Sequence, residues 1–317
     1  MLRRTILGAA ALLPAAARAQ TAPPLRLIVP FPAGGPTDAI ARLLAGPMGA
    51  SLGRTVVVEN RAGAGGNVGA EAAARAEPDG NTIVVSSIAT HGIGPALYPR
   101  LPFDPLRDFA SIGIIHASAL VIAVNPVFAA QTLADLVRMA KEKPGEIGYA
   151  TSGNGTSPHA AGEMFAGAAG LRWQHVPYRG SAPAITDVLA GNVPVLIDNI
   201  ISTIEHIRAG RLRALAVTTP ARAPLLPETP TVAESGHPGF AAASWMALSA
   251  PARTPEAAIA RLNAALNAAL ADPQVRQGMQ GFGAQAVGGT PADLDAFIRV
   301  EMAKWAAVVR QSGMRLD

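Results

Sequence analysis

Leu25-Arg26-Leu27-Ile28-Val29-Pro30-Phe31 runs directly into Pro32-Ala33-Gly34-Gly35-Pro36-Thr37-Asp38, and Ile40, Leu43 and Leu44 then follow at helical spacing. An apolar run, a glycine turn and a 3.6-residue period read as strand, loop and helix in succession. Two more stretches repeat the arrangement. Thr55 to Glu59 leads through Gly63-Ala64-Gly65-Gly66-Asn67 into an alanine-rich helix to Ala76. Ile147 to Thr151 leads through Ser152-Gly153-Asn154-Gly155-Thr156-Ser157-Pro158-His159 into a helix holding Met164 and Phe165. Between them, Pro78-Asp79-Gly80 turns the chain into a strand at Thr82 to Ser86, and further strands are expected at Val193 to Ile197 and Leu212 to Thr218. Alternation of this kind predicts an α/β fold with mainly parallel sheets covered by helices. The tail, Pro255 to Ala271 and Pro291 to Gln311, is helical in pattern.

At 317 residues the chain is long enough for two compact units. Ala119 to Asn125 and Phe240 to Ala250 are the candidate crossings between them. These give one lobe from residues 20–122 plus 240–317 and a second from 123–239. Half the residues are hydrophobic and 15% are charged, which suits a globular core. The absence of cysteine excludes thiol catalysis, thiolate metal sites and disulfides.

The first residues read as an address. Arg3 and Arg4 precede an apolar run from Ile6 to Ala17, and Ala17-Arg18-Ala19 is a small-residue cleavage pattern. Residues 1–19 are therefore expected to be an export signal cut near Ala19, which places the mature protein in the periplasm. The paired arginines fit either the general or the twin-arginine route. Losing Arg3, Arg4 and Arg18 lowers the formal charge from +4 to +1. With no basic block left and 4% aromatic residues, no nucleic-acid surface is expected.

Function is carried by the turns. Gly35-Pro36 and Ser157-Pro158 both look like helix starts, with Gly35 and Ser157 as caps and Asp38 as third helical residue reaching back to a backbone donor. Such starts offer free amides and a positive dipole end to an anion. Two of them facing across a cleft would grip a small carboxylate from both sides without an arginine. Asp38 is then a candidate for a ligand ammonium or hydroxyl, with helix-start electrostatics as its simpler role, and Asp198, at the carboxyl end of the strand from Val193 to Ile197, is a second site candidate. His159 is a candidate donor to a carboxylate, or an ordinary capping histidine. His91, His116, His175, His206 and His237 have no metal-ligand spacing, and neither metal nor cofactor is expected.

Ile28 to Asp38, together with Val58-Glu59-Asn60-Arg61-Ala62-Gly63-Ala64-Gly65-Gly66-Asn67, Val176-Pro177-Tyr178-Arg179-Gly180, Leu212 to Val217, Pro230 to Gly236 and Ser244-Trp245, resembles the Bug or TctC-type receptors of tripartite tricarboxylate transporters. That resemblance spans the mature chain. It implies a type II periplasmic-binding fold, in which crossing hinge strands join two lobes that close around a carboxylate. On the matching positions it implies contacts from Phe31, Ala33, Gly34, Gly35, Thr37 and Asp38 in one lobe, with Ser87 and Thr90 near the end of another strand. From the other lobe it implies Asn154, Gly155, Thr156, Ser157, His159, Tyr178 and Asp198. A monomeric receptor is expected, read in its closed form by a membrane permease or a sensor domain. Gly94-Pro95 stands where such receptors often carry Asn-Pro, which removes a side chain from that loop. Gly46-Pro47 falls inside the first helix, where proline should kink or end it.

Two enzyme readings compete. A serine hydrolase lacks its Gly-x-Ser-x-Gly elbow, and Ser157 and His159, two apart, face different sides of a helix. A nucleotide-cofactor-dependent α/β enzyme is the stronger rival. Yet Gly63, Gly65 and Gly69 miss the Gly-x-Gly-x-x-Gly spacing by one residue, and Pro158 stands where a third glycine would follow Gly153 and Gly155.

Overall fold

The computed structural model describes residues 23–312 and Met314, so the expected export signal at 1–19 lies outside the described residues. The chain opens with β1 (Leu25–Val29), α1 (Pro36–Leu52), β2 (Val56–Asn60), α2 (Asn67–Ala74) and β3 (Thr82–Ser87). A π-type turn (Ile88–Ile93) and the short α3 (Gly94–Leu97) lead to a 16-residue strand, β4 (Phe109–Val124). Then come α4 (Leu133–Glu142), β5 (Gly148–Thr151), α5 (Ser157–Ala169), β6 (Gln174–Pro177), α6 (Ser181–Leu189), β7 (Val195–Asn199), α7 (Ile200–Arg208) and β8 (Arg213–Val217). The chain returns through β9 (Ala243–Pro251), α8 (Glu256–Ala271), α9 (Pro273–Gly281), β10 (Ala284–Gly288) and α10 (Pro291–Ser312).

These strands make two sheets that share β4. In one, the order is β2-β1-β3-β9-β4, with β10 also on β4; in the other it is β4-β7-β5-β6, with β8 also on β4. β1 pairs in parallel with β2 and β3, and β5 with β6 and β7, as helical crossovers require. Every pairing made by β4 and β9 is antiparallel. Each lobe is thus parallel on its outer side and antiparallel beside the crossing.

β4 changes sheets in mid-strand: Ala119 is the last residue paired with β9, and Leu120 the first paired with β7. Leu120 to Val124 are fully buried, as a strand covered on both faces must be. A second link lies beside it, where Ala242 N–H donates to Thr218 O at 2.9 Å and Thr218 Oγ1 accepts from Leu120 N–H at 3.1 Å. Two adjacent strands crossing at one level make a narrow hinge between two packed lobes.

α1 runs five residues past Pro47 and ends at Gly53, whose left-handed φ of 64° closes the helix. Pro47 neither ends the helix nor prevents Met48, beyond it, from being fully buried. α2 packs tightly on β1 at Gly69: a Cβ there would lie 2.8 Å from Arg61 O, Pro30 Cα and Pro30 Cβ. None of these atoms belongs to a flexible side-chain end. Gly69→Ala is therefore expected to destabilise the protein by about 2 kcal/mol, within the range of core overpacking, read as a lowered urea midpoint.

Candidate functional site

A cavity of about 780 Å³ lies between the lobes. Into it run the starts of four α-helices: Gly35-Pro36-Thr37 of α1, Thr156-Ser157-Pro158 of α5, Gly180-Ser181-Ala182 of α6, and Asn199 with Ile201 and Ser202 of α7. Ser87, Ile88 and Ala89, at the start of the π-type turn, add a fifth. None of the four N-caps, Gly35, Thr156, Gly180 and Asn199, makes a side-chain capping hydrogen bond. By contrast α4 and α9, which begin elsewhere, are capped by Thr132 and Asp272. First-turn amides around the cavity are thus left facing it, with no side chain in competition. The lining contains no aspartate or glutamate, and Arg179 is its one permanently charged side chain. The field inside favours an anion.

The loops that carry these starts are braced from behind. Asp38 Oδ2 accepts from Gly34 N–H and from Arg42 Nε, both at 2.9 Å, and Asn60 Nδ2 donates to Oδ1 at 3.0 Å. Burial alone would push the Asp38 carboxyl up, but the bonds from Arg42, Gly34 and Asn60 outweigh it and hold it below the usual range. Gly34, with φ of 78°, takes a conformation open to glycine.

In the other lobe His159 Nδ1 accepts from Gly155 N–H at 3.1 Å, and its ring stacks on His175 with centroids 3.8 Å apart and planes 6° from parallel. Burial lowers His159 to about 4; burial and then the neighbouring His159 lower His175 to about 3. Both imidazoles are neutral at pH 7. Thr156, not Ser157, is the N-cap of α5, because its hydroxyl is committed to Gly153 O at 2.7 Å and closes the turn one residue earlier. Ser157 begins the helix, and its hydroxyl donates to Ser244 Oγ of β9 at 3.3 Å.

Of the residues singled out in the sequence, Phe31, Ala33, Gly34, Gly35, Thr37, Ser87, Thr156 and Ser157 line the cavity. The others stand behind it or at its flank. Asp38, Gly155 and His159 are engaged in the bracing bonds above, and the Gly34 and Gly155 amides are spent inside their own loops. Thr90 Oγ1 accepts from Ser87 N–H at 3.2 Å and bonds His91 Nδ1 at 2.9 Å. Asn154 presents its carbonyl to Gly65 of the first lobe, 3.2 Å from where a Cβ would stand. The Tyr178 hydroxyl is bound to Asp187, and burial followed by that bond pushes it up to about 12. Asp198 is fully buried at the end of β7, its Oδ1 accepting from Asn199 N–H at 2.7 Å. Sequence reasoning missed the α6 and α7 starts. For α6 the signal was present: Gly180-Ser181-Ala182-Pro183 again sets a proline in a first helical turn after glycine.

A family model, "Tripartite tricarboxylate transporter family receptor", matches residues 40–314. The chain belongs to this family. It is 40% identical over 304 residues to Protein BugT of Bordetella pertussis (strain Tohama I), covering 96% of this chain and 93% of that one. Its fold is similar to the periplasmic binding protein BugD, at 36% identity and a TM-score of 0.87, covering 92% of this chain and 98% of that one. It is equally similar to R. palustris Rpa4515 with adipate, at 34% identity and a TM-score of 0.88, covering 92% and 97%. The two lobes and the β4 and β9 crossing are thus the type II periplasmic-binding fold. The family is one of transporter receptors, and BugD is a periplasmic binding protein. Among the described residues, no helix is long and apolar enough to cross a membrane.

Proposed function

We propose that the mature protein is a periplasmic receptor that closes its lobes around a small organic carboxylate and catalyses no reaction. One observation carries this: uncapped helix starts from both lobes converge on one cavity that has no acidic side chain. Adipate with the neighbour Rpa4515 supports an acid of that general size. In this reading residues 1–19 direct export, 20–122 with 240–317 form one lobe and 123–239 the other. Ligand contacts in both lobes stabilise the closed form over the open one, since a ligand shifts an equilibrium only by its differential affinity. A membrane permease or sensor domain reads the closed monomer, and no cofactor takes part. Asp38, Thr90, Gly155, His159, Tyr178 and Asp198 act by positioning the loops.

Native mass spectrometry of freshly purified mature protein, followed by a thermal-shift screen of mono-, di- and tricarboxylates, tests the reading. A bound acid is expected to raise Tm, by an amount that grows with its concentration. A screen in which no carboxylate raises Tm while a nucleotide does would hand the cavity to a different class of ligand.

A further inference from the structure

Outside the ligand cavity the lobes also touch each other directly. Tyr98, the residue after α3 in the first lobe, sets the end of its ring between two glycines. One is Gly65, in the loop between β2 and α2 of the same lobe, where a Cβ would lie 2.7 Å from the Tyr98 hydroxyl oxygen and 3.2 Å from Asn154 O of the second lobe. The other is Gly155 of the second lobe, where a Cβ would lie 3.3 Å from that hydroxyl oxygen, 3.5 Å from Tyr98 Cε2 and 3.1 Å from Leu97 Cδ2. The hydroxyl donates to Ala64 O at 3.0 Å, and the Gly155 N–H donates to His159 Nδ1 at 3.1 Å. Each side of the contact is thus fixed by a bond inside its own lobe. None of Gly65, Leu97, Tyr98, Asn154 and Gly155 lines the cavity.

The contact stands well away from the hinge. Gly66, beside Gly65, packs on Phe31 and Thr90, with a would-be Cβ 3.1 Å from Phe31 Cζ and 2.9 Å from Thr90 Cγ2. Those residues follow β1 and β3, which are three and two strands from β4 in their sheet, while Asn154 and Gly155 follow β5, two strands from β4 in the other. Neighbouring strands lie about 4.8 Å apart, so the contact is roughly 10–14 Å from the crossing strand. At that radius a hinge rotation of about 15° parts the two surfaces by about 3 Å, enough to forfeit their dispersion contacts.

We propose that Tyr98 is a latch between the lobes, which favours the closed form without touching the ligand and so sets the receptor's affinity for all its ligands alike. This rests on the reading above that the lobes close around a ligand; the chemistry of the ligand does not enter. Apparent affinity is the intrinsic affinity scaled by the fraction of protein in the binding-competent form. A residue that acts on that fraction alone weakens every ligand by one factor, whereas a residue that touches the ligand weakens different ligands unequally.

The chain has no cysteine, so an introduced pair can carry spin labels at chosen places. Val57→Cys on β2 and Gln174→Cys on β6 lie at exposed positions of the outermost strands of the two sheets. Electron–electron double resonance reads their separation in the ligand-free protein. Tyr98→Ala is expected to move population from the shorter to the longer separation, and Tyr98→Phe, which keeps the ring beside Gly155, should fall between it and wild type. Calorimetry of the unlabelled variants with succinate, adipate and citrate should show Tyr98→Ala weakening each acid that binds by about fivefold or more, by one common factor that matches the lost closed fraction. Separations unchanged in Tyr98→Ala would put the contact in the permanent packing of the lobes and overturn the latch. Losses that differ from acid to acid would make Tyr98 a ligand contact and overturn it too. If none of the three acids binds, the carboxylate reading fails on its own, and the separations still decide the latch.

Discussion

Glu301→Leu is expected to destabilise the protein by about 4 kcal/mol, because one carboxylate oxygen serves two buried indoles. Glu301 Oε2 accepts from Trp245 Nε1 at 2.8 Å and from Trp305 Nε1 at 2.9 Å, while Oε1 pairs with Lys304 Nζ. Trp245 is 1% exposed and Trp305 is fully buried, so water cannot replace the lost acceptor. Each indole N–H left unpaired costs roughly 1–3 kcal/mol, and leucine fills much of the glutamate's volume without offering an acceptor. Glu301→Gln keeps one oxygen and should cost about half as much. Urea unfolding followed by tryptophan fluorescence reads both, and a loss under about 1 kcal/mol for the leucine variant would show that the indoles find other partners. Trp245 also belongs to the cavity wall on β9, so the C-terminal helix braces the ligand site from behind.

The strands that meet glycine turns were legible because their apolar runs are unbroken: Leu25–Val29, Thr82–Ser87 and Val195–Asn199 fall within a residue or two of the expected spans. β4 was legible only in its second half. Its first half carries Ser111, Gly113, His116 and Ser118, which interrupt the apolar pattern although most of them are buried between neighbouring strands. Pairing on both sides, not hydrophobicity, makes that stretch a strand. β10 is similarly hidden, since three of its five residues are exposed and only its ladder with β4 defines it.

The same division holds in the site. Sequence spacing reveals which loop enters a helix, but not which side of that loop faces the cleft. Asp38 and Gly35 are three residues apart in one turn, yet Gly35 lines the cavity while Asp38 turns back onto Gly34, Arg42 and Asn60. His159 likewise sits in a first helical turn, but its ring folds onto His175 and holds Gly155. The start of α7 has neither a glycine nor a proline before it. Asp198-Asn199 carries no turn signature beyond asparagine's suitability as a cap.

Asp198→Asn should raise stability at pH 7 by about 3 kcal/mol and weaken ligand binding at the same time. Burial pushes the Asp198 carboxyl from its ordinary 3.8 up to about 6, with the nearby Ser181 hydroxyl and the Asn199 amides pulling it partly back. Oδ2 itself meets no partner in hydrogen-bonding geometry. The folded state therefore holds this proton more tightly than the unfolded chain does. Below about pH 4 both states are protonated and the residue costs nothing; as pH rises from there through about 6, stability drains away. At pH 7 the penalty is complete, and a carboxyl raised from 3.8 to about 6 loses about 3 kcal/mol on ionising in the folded chain. Asparagine keeps an oxygen for Asn199 N–H and carries no charge, so the variant should lack the fall in stability between about pH 4 and 6. A carboxylate just ahead of α7 is retained at this cost because it holds the backbone N–H of Asn199, a residue of the cavity wall. Urea titrations across the range from about pH 4 to 7 with wild type and variant check the linkage, and parallel slopes for the two proteins would show that the Asp198 carboxyl titrates alike in the folded and unfolded chains.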